Sequence, residues 1–108
     1  MDYSKTEKRV LRQLLAEAHR RELTHALERL HGEFRHWESG DIDCFELDER
    51  IHHYHQNDAR IIWSRYNGGP PSLMILASTV QSGLMTLEEL PEEFREKVAK
   101  ALQALSEP

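Results

Sequence analysis

The absence of proline before Pro70 constrains the fold of this chain more than any other feature. Proline breaks helices because it lacks a backbone N–H and clashes with the preceding turn. Only two glycines, Gly32 and Gly40, precede the break at Gly68-Gly69-Pro70-Pro71. Most other positions hold Glu, Leu, Ala, Arg or Lys, which favour helix. The first 66 residues are therefore expected to form two long helices that separate near Gly40.

The first helix is predicted to run from about Ser4 to Glu38. Ser4 and Glu7 have the spacing of a capping box, and Gly40-Asp41 supplies the stop. Its apolar stripe changes face at residues 19–22, so its two halves are expected to meet different partners or to bend apart. The first stripe contains Leu11, Leu14, Leu15 and Ala18, and the second contains Leu23, Ala26, Leu27, Leu30, Phe34 and Trp37.

The second helix is predicted to extend to Tyr66, with Asp43 as its cap and Glu46 completing the pair; Asp41 is the alternative cap. The turn before it is short, which makes the two helices antiparallel neighbours. On a helical wheel, one wide arc holds Leu47, Ile51, Tyr54, Ile61, Ile62 and Tyr66, with Cys44 just before it.

Beyond the break, Ser72 can cap a third helix over residues 73–82, which Gly83 would end. Residues 86–89 form another capping pattern, and a last helix is predicted over residues 91–105. The sequence thus predicts an all-α fold of four to five helices, built on a long antiparallel helix pair, in a single domain spanning residues 1–108. We expect a homodimer, because a two-faced helix in a 108-residue chain needs more cover than the chain supplies.

Composition and charge exclude several classes of protein. A single cysteine, Cys44, allows no internal disulfide, and we expect it to be a buried small residue rather than a nucleophile. No apolar run is long enough to span a bilayer, and no signal peptide precedes the first helix, which predicts a cytoplasmic protein without a membrane partner. The net charge is −5, from +2 over residues 1–37, −4 over residues 38–66 and −3 over residues 67–108. No nucleic-acid partner is expected from such a balance.

Three polar residues on the second helix form a candidate metal site. Asp48, His52 and His55 follow one another at i, i+4 and i+7, which places them on one helical face, within or beside the apolar arc. Two imidazoles and a carboxylate are a ligand set for divalent transition metals. Asp58 lies on the same arc, and the alternative to a metal is that these groups are buried and satisfy one another by hydrogen bonding.

A ribonuclease is the third hypothesis. Arg50-x4-His55 resembles the arginine–histidine spacing of HEPN-type ribonucleases, which are small helical domains that dimerise. This resemblance implies that His55 acts as general acid or base and that Arg50 steadies a phosphate. Arg50 points away from His55 on the helical wheel.

A second resemblance covers residues 37–66. The pattern is Trp37-x2-Gly40-x-Ile42, then Glu46-Leu47-x3-Ile51-His52-x2-His55, then Ala59-Arg60 and Tyr66. It is similar to an uncharacterised bacterial family of small helical proteins, which implies a bacterial origin and no particular activity.

We therefore expect a protein that acts by association, as a homodimer or a protein-binding module, with no catalytic residues and no cofactor of its own. The alternative is a metal-binding helical protein that uses Asp48, His52 and His55.

Overall fold

The computed structural model describes residues 3–106, and all regular structure within that range is helical, with no strand. This confirms the predicted all-α class. The α-helices are α1 (Lys5–Glu38), α2 (Cys44–His53), α3 (Ala59–Asn67), α4 (Leu73–Gln81) and α5 (Glu92–Ser106). A π-helical segment, Tyr54–Asp58, joins α2 to α3 without a break, and a 3₁₀ turn, Leu87–Glu89, precedes α5.

Each predicted capping box is present. The Ser4 hydroxyl accepts from the Glu7 backbone N–H at 3.0 Å, and the Glu7 carboxylate accepts from the Ser4 N–H at 3.1 Å. Asp43 and Glu46 make the same reciprocal pair at α2. Asp41, the alternative cap, instead contacts the His36 Nδ1 atom at 3.1 Å. These caps supply acceptors for N–H groups that a helix start leaves without partners, so the sequence fixes both helix starts.

The ends of α1 and α4 depend on glycine. Gly40 and Gly83 have φ values of 85° and 84°, a left-handed conformation that other residues adopt only with strain. Ser72 caps α4 by accepting from the Met74 and Ile75 N–H groups.

The main hydrophobic core lies between the N-terminal half of α1, α4 and α5. The first stripe of α1 faces this core as predicted, with Leu11, Leu15 and Ala18 buried. The partners of this stripe are the buried residues Leu76, Ala77, Met85, Leu90, Phe94, Val98 and Ala101. We call this part of the molecule the core half.

Arg21 ties the loop before α5 to α1. Its guanidinium donates to the Leu84 carbonyl at 3.0 Å, to the Glu89 carboxylate at 2.7 Å and to the Glu17 carboxylate at 2.8 Å. Hydrogen bonds from Arg21 lower the pKa of Glu89 to about 2. Those from Arg20 and Arg21 lower the pKa of Glu17 to about 2.

The C-terminal half of α1 packs against α2, the π segment and α3, and we call this part the tip half. An ion pair joins Glu33 to Arg50 at 2.5 Å, and another joins Glu22 to Arg65. Among the described residues, the buried apolar side chains here are Ala26, Leu47 and Ile62. The tip half therefore buries far less apolar surface than the core half.

The π segment changes which side chains face α1. The Ala59 N–H donates to the Tyr54 carbonyl, five residues back, so this turn holds one residue more than an α-helical turn. Every residue that follows is set back by about 100° relative to a regular helix. Ile62 is consequently buried, whereas Ile61, predicted to share the inward arc, is 55% exposed. The predicted arc is wrong at Ile61 because sequence periodicity assumed an unbroken α-helix.

The molecule is elongated, with extents of 52 × 27 × 24 Å and a radius of gyration of 17.3 Å. A compact chain of this length has a radius of gyration of about 13 Å. Its accessible surface is 7651 Å², against roughly 6,200 Å² for a typical monomer of its mass. The excess of about 1,450 Å² is larger than the ~800 Å² that each partner buries in a standard protein interface.

Candidate functional site

We call the continuous helical segment formed by α2, the π segment and α3 the α2–α3 rod. In the tip half, the groove between α1 and this rod has two different edges. One edge carries the Glu33–Arg50 pair beside the π segment, where a shallow cleft of about 210 Å³ is also lined by Arg29, Tyr54 and Asp58. Both signs of charge line this cleft, so it offers no concentrated field for an ionic ligand.

The other edge carries large apolar side chains without cover. Leu27 is 46% exposed, Ile51 36% and Trp63 62%, and Phe34 is half-buried. On the wheel, Leu27 and Phe34 share one side of α1, away from Glu22 and Glu33, and Ile51 and Trp63 lie on the side of their rod away from Arg50 and Arg65. We call Leu27, Phe34, Ile51 and Trp63 the apolar face.

The second stripe of α1, which was predicted to meet a different partner from the first, is only partly covered. Ala26 is buried, but Leu27 and Trp37 are exposed and Leu23, Leu30 and Phe34 are half-buried. A helix with such a stripe gains stability only when another surface covers it.

The predicted metal ligands are not buried. Asp48 and His52 approach each other, with 3.6 Å between the carboxylate Oδ2 and the imidazole Nε2, and their side chains are 71% and 66% exposed. His55 is also exposed, and Asp58 is half-buried. Within residues 3–106, no group of three or more His, Cys, Asp or Glu side chains could hold a metal ion. The expected burial is wrong for Asp48, His52 and His55 because these three residues lie outside the contact with α1.

The predicted nuclease pair is not assembled. Arg50 lies in the cleft beside the π segment, where it pairs with Glu33. His55 lines a separate depression of about 350 Å³ with Ala59 and Trp63. The two side chains therefore do not converge on one position where a phosphate could bind.

Cys44 is exposed, which contradicts its expected burial. It is the first residue of α2, and the next residue, Phe45, is 78% exposed. Leu47 is the first buried residue of α2. The buried arc of the helix therefore does not extend back to Cys44.

Two stacked aromatic rings, those of His19 and Tyr66, lie where the tip half meets the core half. The His19 and Tyr66 rings lie 4.7 Å apart at an interplanar angle of 7°. The buried Tyr66 hydroxyl has no hydrogen-bond partner among the described residues, and burial raises the pKa of Tyr66 to about 12. Stacked aromatic pairs contribute about 0.5–1.5 kcal/mol beyond the area they bury, so this pair adds a contact between α1 and the end of α3.

A basic surface covers the other end of α1. Lys5, Lys8, Arg9 and Arg12 are exposed and line one shallow depression. Leu27 belongs to the second stripe that the sequence predicts, but the wheel of α1 alone does not place it on the same edge as Trp63. The signal closest to the apolar face is the pair of acids Glu22 and Glu33, which lie on one side of the second stripe. In the structure they pair with Arg65 and Arg50, so they mark the edge at which α2 and α3 pack.

Comparisons with protein-family models, curated proteins and solved structures find no match for this chain. Among the helices of residues 3–106, none combines the length and apolarity needed to cross a membrane.

Proposed function

We propose that this protein acts by association and forms a homodimer through the apolar face of its tip half. In this proposal α1 and the α2–α3 rod form an antiparallel pair that serves as the scaffold, and the apolar face is the surface that it presents. Aromatic side chains such as Trp63 anchor interfaces because they bury a large area with little loss of conformational freedom.

The observation that carries the proposal is the excess accessible surface together with the position of the uncovered side chains. The tip half buries three apolar side chains while Leu27, Ile51 and Trp63 remain exposed on one edge. Removing these side chains from water contributes about 25 cal/mol for each Å² of apolar area. A second copy supplies this cover at both faces at once, because a two-fold interface uses the same patch twice.

The metal-binding alternative has less support from the geometry. It depends on Asp48, His52 and His55, of which Asp48 and His52 come within 3.6 Å of each other. The ribonuclease alternative would need His55 and Arg50 to converge, and Arg50 is held by Glu33. We therefore keep association as the proposal.

Sedimentation at micromolar concentration tests the proposal. The parent protein should sediment at twice its chain mass of 12.7 kDa. The double variant Leu27→Gln/Trp63→Gln should sediment as a monomer with an unchanged helical signal, because both side chains are exposed in the single chain.

Met74→Gln is the matched control, since Met74 is 46% exposed, as Leu27 is, but lies on α4 in the core half. It should leave the dimer intact. A parent protein that sediments as a monomer, or a double variant that dimerises as well as the parent, would contradict the proposal.

A further inference from the structure

One uncovered face of α1 changes character halfway along the helix. Eight residues of α1 follow one another at spacings of three, four or seven, which places them on a single face. They are Lys5, Arg9, Arg12, Ala16, Arg20, Leu23, Leu27 and Phe34. The first five are exposed. This face is therefore basic where it passes the core half and apolar where it passes the tip half.

The opposite end of the molecule is acidic. Residues 38–49, which include the end of α1, the turn and the start of α2, contain six acids and no lysine or arginine. The acids are Glu38, Asp41, Asp43, Glu46, Asp48 and Glu49, all exposed. The His36 and Ser39 side chains lower the pKa of Asp41 by hydrogen bonding. Charge is thus separated along the 52 Å length of the chain.

We propose that two copies pack with their α1 helices antiparallel, so that the basic face of each copy lies beside the acidic tip of the other. This inference rests on the proposed function, because the apolar faces must meet, and it adds the orientation and the residues that select it.

The apolar residues set the register. Pairing the apolar stretch 23–34 with itself places Leu23 opposite Phe34 of the second copy and Leu27 opposite Leu30. The same register places Arg20 opposite Trp37 of the second copy, next to Glu38. Residues 19–38 of each α1 then overlap, or roughly 30 Å at 1.5 Å per residue.

A parallel arrangement conflicts with the charges. It would bring the two basic faces to one end and the two acidic tips to the other, and like charges placed side by side at an interface oppose association. In this register Arg12 lies about 10 Å beyond the end of the second copy's α1, whereas Arg9 and Lys5 lie about 15 and 20 Å beyond it. Charges interact over about 10 Å at moderate salt, so Arg12 is the basic residue beyond the overlap that favours the antiparallel encounter.

A charge swap between Arg20 and Glu38 tests the orientation. Arg20→Glu should weaken the dimer roughly tenfold, because the change affects two symmetric contacts and replaces attraction with repulsion. Glu38→Arg should weaken it similarly. The double variant Arg20→Glu/Glu38→Arg should restore the affinity of the parent to within about threefold, as measured by sedimentation equilibrium at low salt.

The rescue can act only between copies. Arg20 and Glu38 are 18 residues apart on one continuous helix, and therefore lie about 27 Å apart in a single chain. In the single chain Arg20 pairs with Glu17 at 2.6 Å, and Arg20→Glu breaks this pair as well. Lys100→Glu is the control, since it breaks the similar pair of Lys100 with Glu96 on α5; it should leave the affinity unchanged.

The outcomes separate the two proposals. A monomeric parent overturns the proposed association and this orientation with it. A dimeric parent in which Arg20→Glu has no effect, or in which the double variant Arg20→Glu/Glu38→Arg fails to restore affinity, overturns the antiparallel arrangement and leaves the association standing.

Discussion

Arg21 joins three segments of the core half. It reaches from α1 to the Leu84 carbonyl in the loop after α4 and to Glu89 at the start of the last helical region. Glu89 in turn accepts from the Thr86 N–H at 2.7 Å, so one carboxylate completes a cap and an ion pair. The side chains of Arg21 and Glu89 are about one-third exposed, which limits what each contact adds through solvent screening.

Replacing Arg21 should change how stability depends on pH. The folded pKa of Glu89 is about 2, below its ordinary value of 4.5. Its pairing therefore stabilises the fold above pH 4.5, and this contribution is lost as the pH falls toward 2. Arg21→Gln should lower the free energy of unfolding by about 1 kcal/mol at pH 7 and flatten its decline between pH 4.5 and 2.

Chemical denaturation across that pH range measures the effect, at a fixed protein concentration that keeps association constant. Lys100→Gln serves as the control, because Lys100 pairs only within α5. If Arg21→Gln declines with pH as steeply as the parent, Glu89 owes its low pKa to some other group.

Among the helical elements, the π segment keeps both α2 and α3 in contact with α1. A regular helix through residues 47–66 would rotate its later residues away from α1, since 19 residues at 100° do not return to the same face. The extra residue between Tyr54 and Asp58 restores the phase, so that Leu47 and Ile62 are both buried.

Deleting Gln56 should therefore be tolerated. Removal of one residue converts the π turn to an α turn while Leu47 and Ile62 keep their orientation, and stability should stay within about 1 kcal/mol of the parent. Deleting the exposed Ser64 shortens the same rod equally but rotates Tyr66 away from His19, and should cost roughly 2–3 kcal/mol. Thermal and denaturant unfolding compare the two deletions, and equal losses would show that the phase at the π segment has no structural role.

The elements differ in how well the sequence predicts them. Helix ends are local: Ser4, Asp43 and Ser72 cap the helices that follow them, and the sequence shows each of them directly. The π turn is different, because the residues Tyr54–Asp58 carry no composition that separates them from α-helix. Because the wheel did not include the extra residue of the π turn, it predicted that Ile61 faces the core, whereas Ile61 is exposed.

The candidate site was harder to predict for a related reason. A wheel gives the direction of a side chain relative to its own helix, and exposure also depends on where the neighbouring helix packs. The ion pairs of Glu22 and Glu33 show that α2 and α3 pack on one edge of the second stripe. Because α2 and α3 pack on that edge, Leu27 is exposed and His52 and His55 lie outside the contact with α1.

At the scale of the whole molecule, burial is concentrated at one end. The core half contains the fully buried Phe94 and Leu76, together with the other buried residues of the main hydrophobic core. The tip half is held by two ion pairs and three buried side chains. Partly exposed ion pairs contribute little in water, so the two halves differ in stability even though α1 runs through both.

Unequal burial means that this protein should not open as a single unit. Amide hydrogen exchange reports such local opening, and segments with few buried apolar contacts exchange through low-energy openings. Amides of α2 and α3 should exchange at least tenfold faster than those of α4 and α5 in a dilute sample. Raising the protein concentration should slow exchange in α2 and α3 and leave α4 and α5 unchanged, because mass action closes the weaker half when a second copy covers it. Uniform exchange along the chain, or exchange that is independent of concentration, would mean that the tip half is stable without a partner.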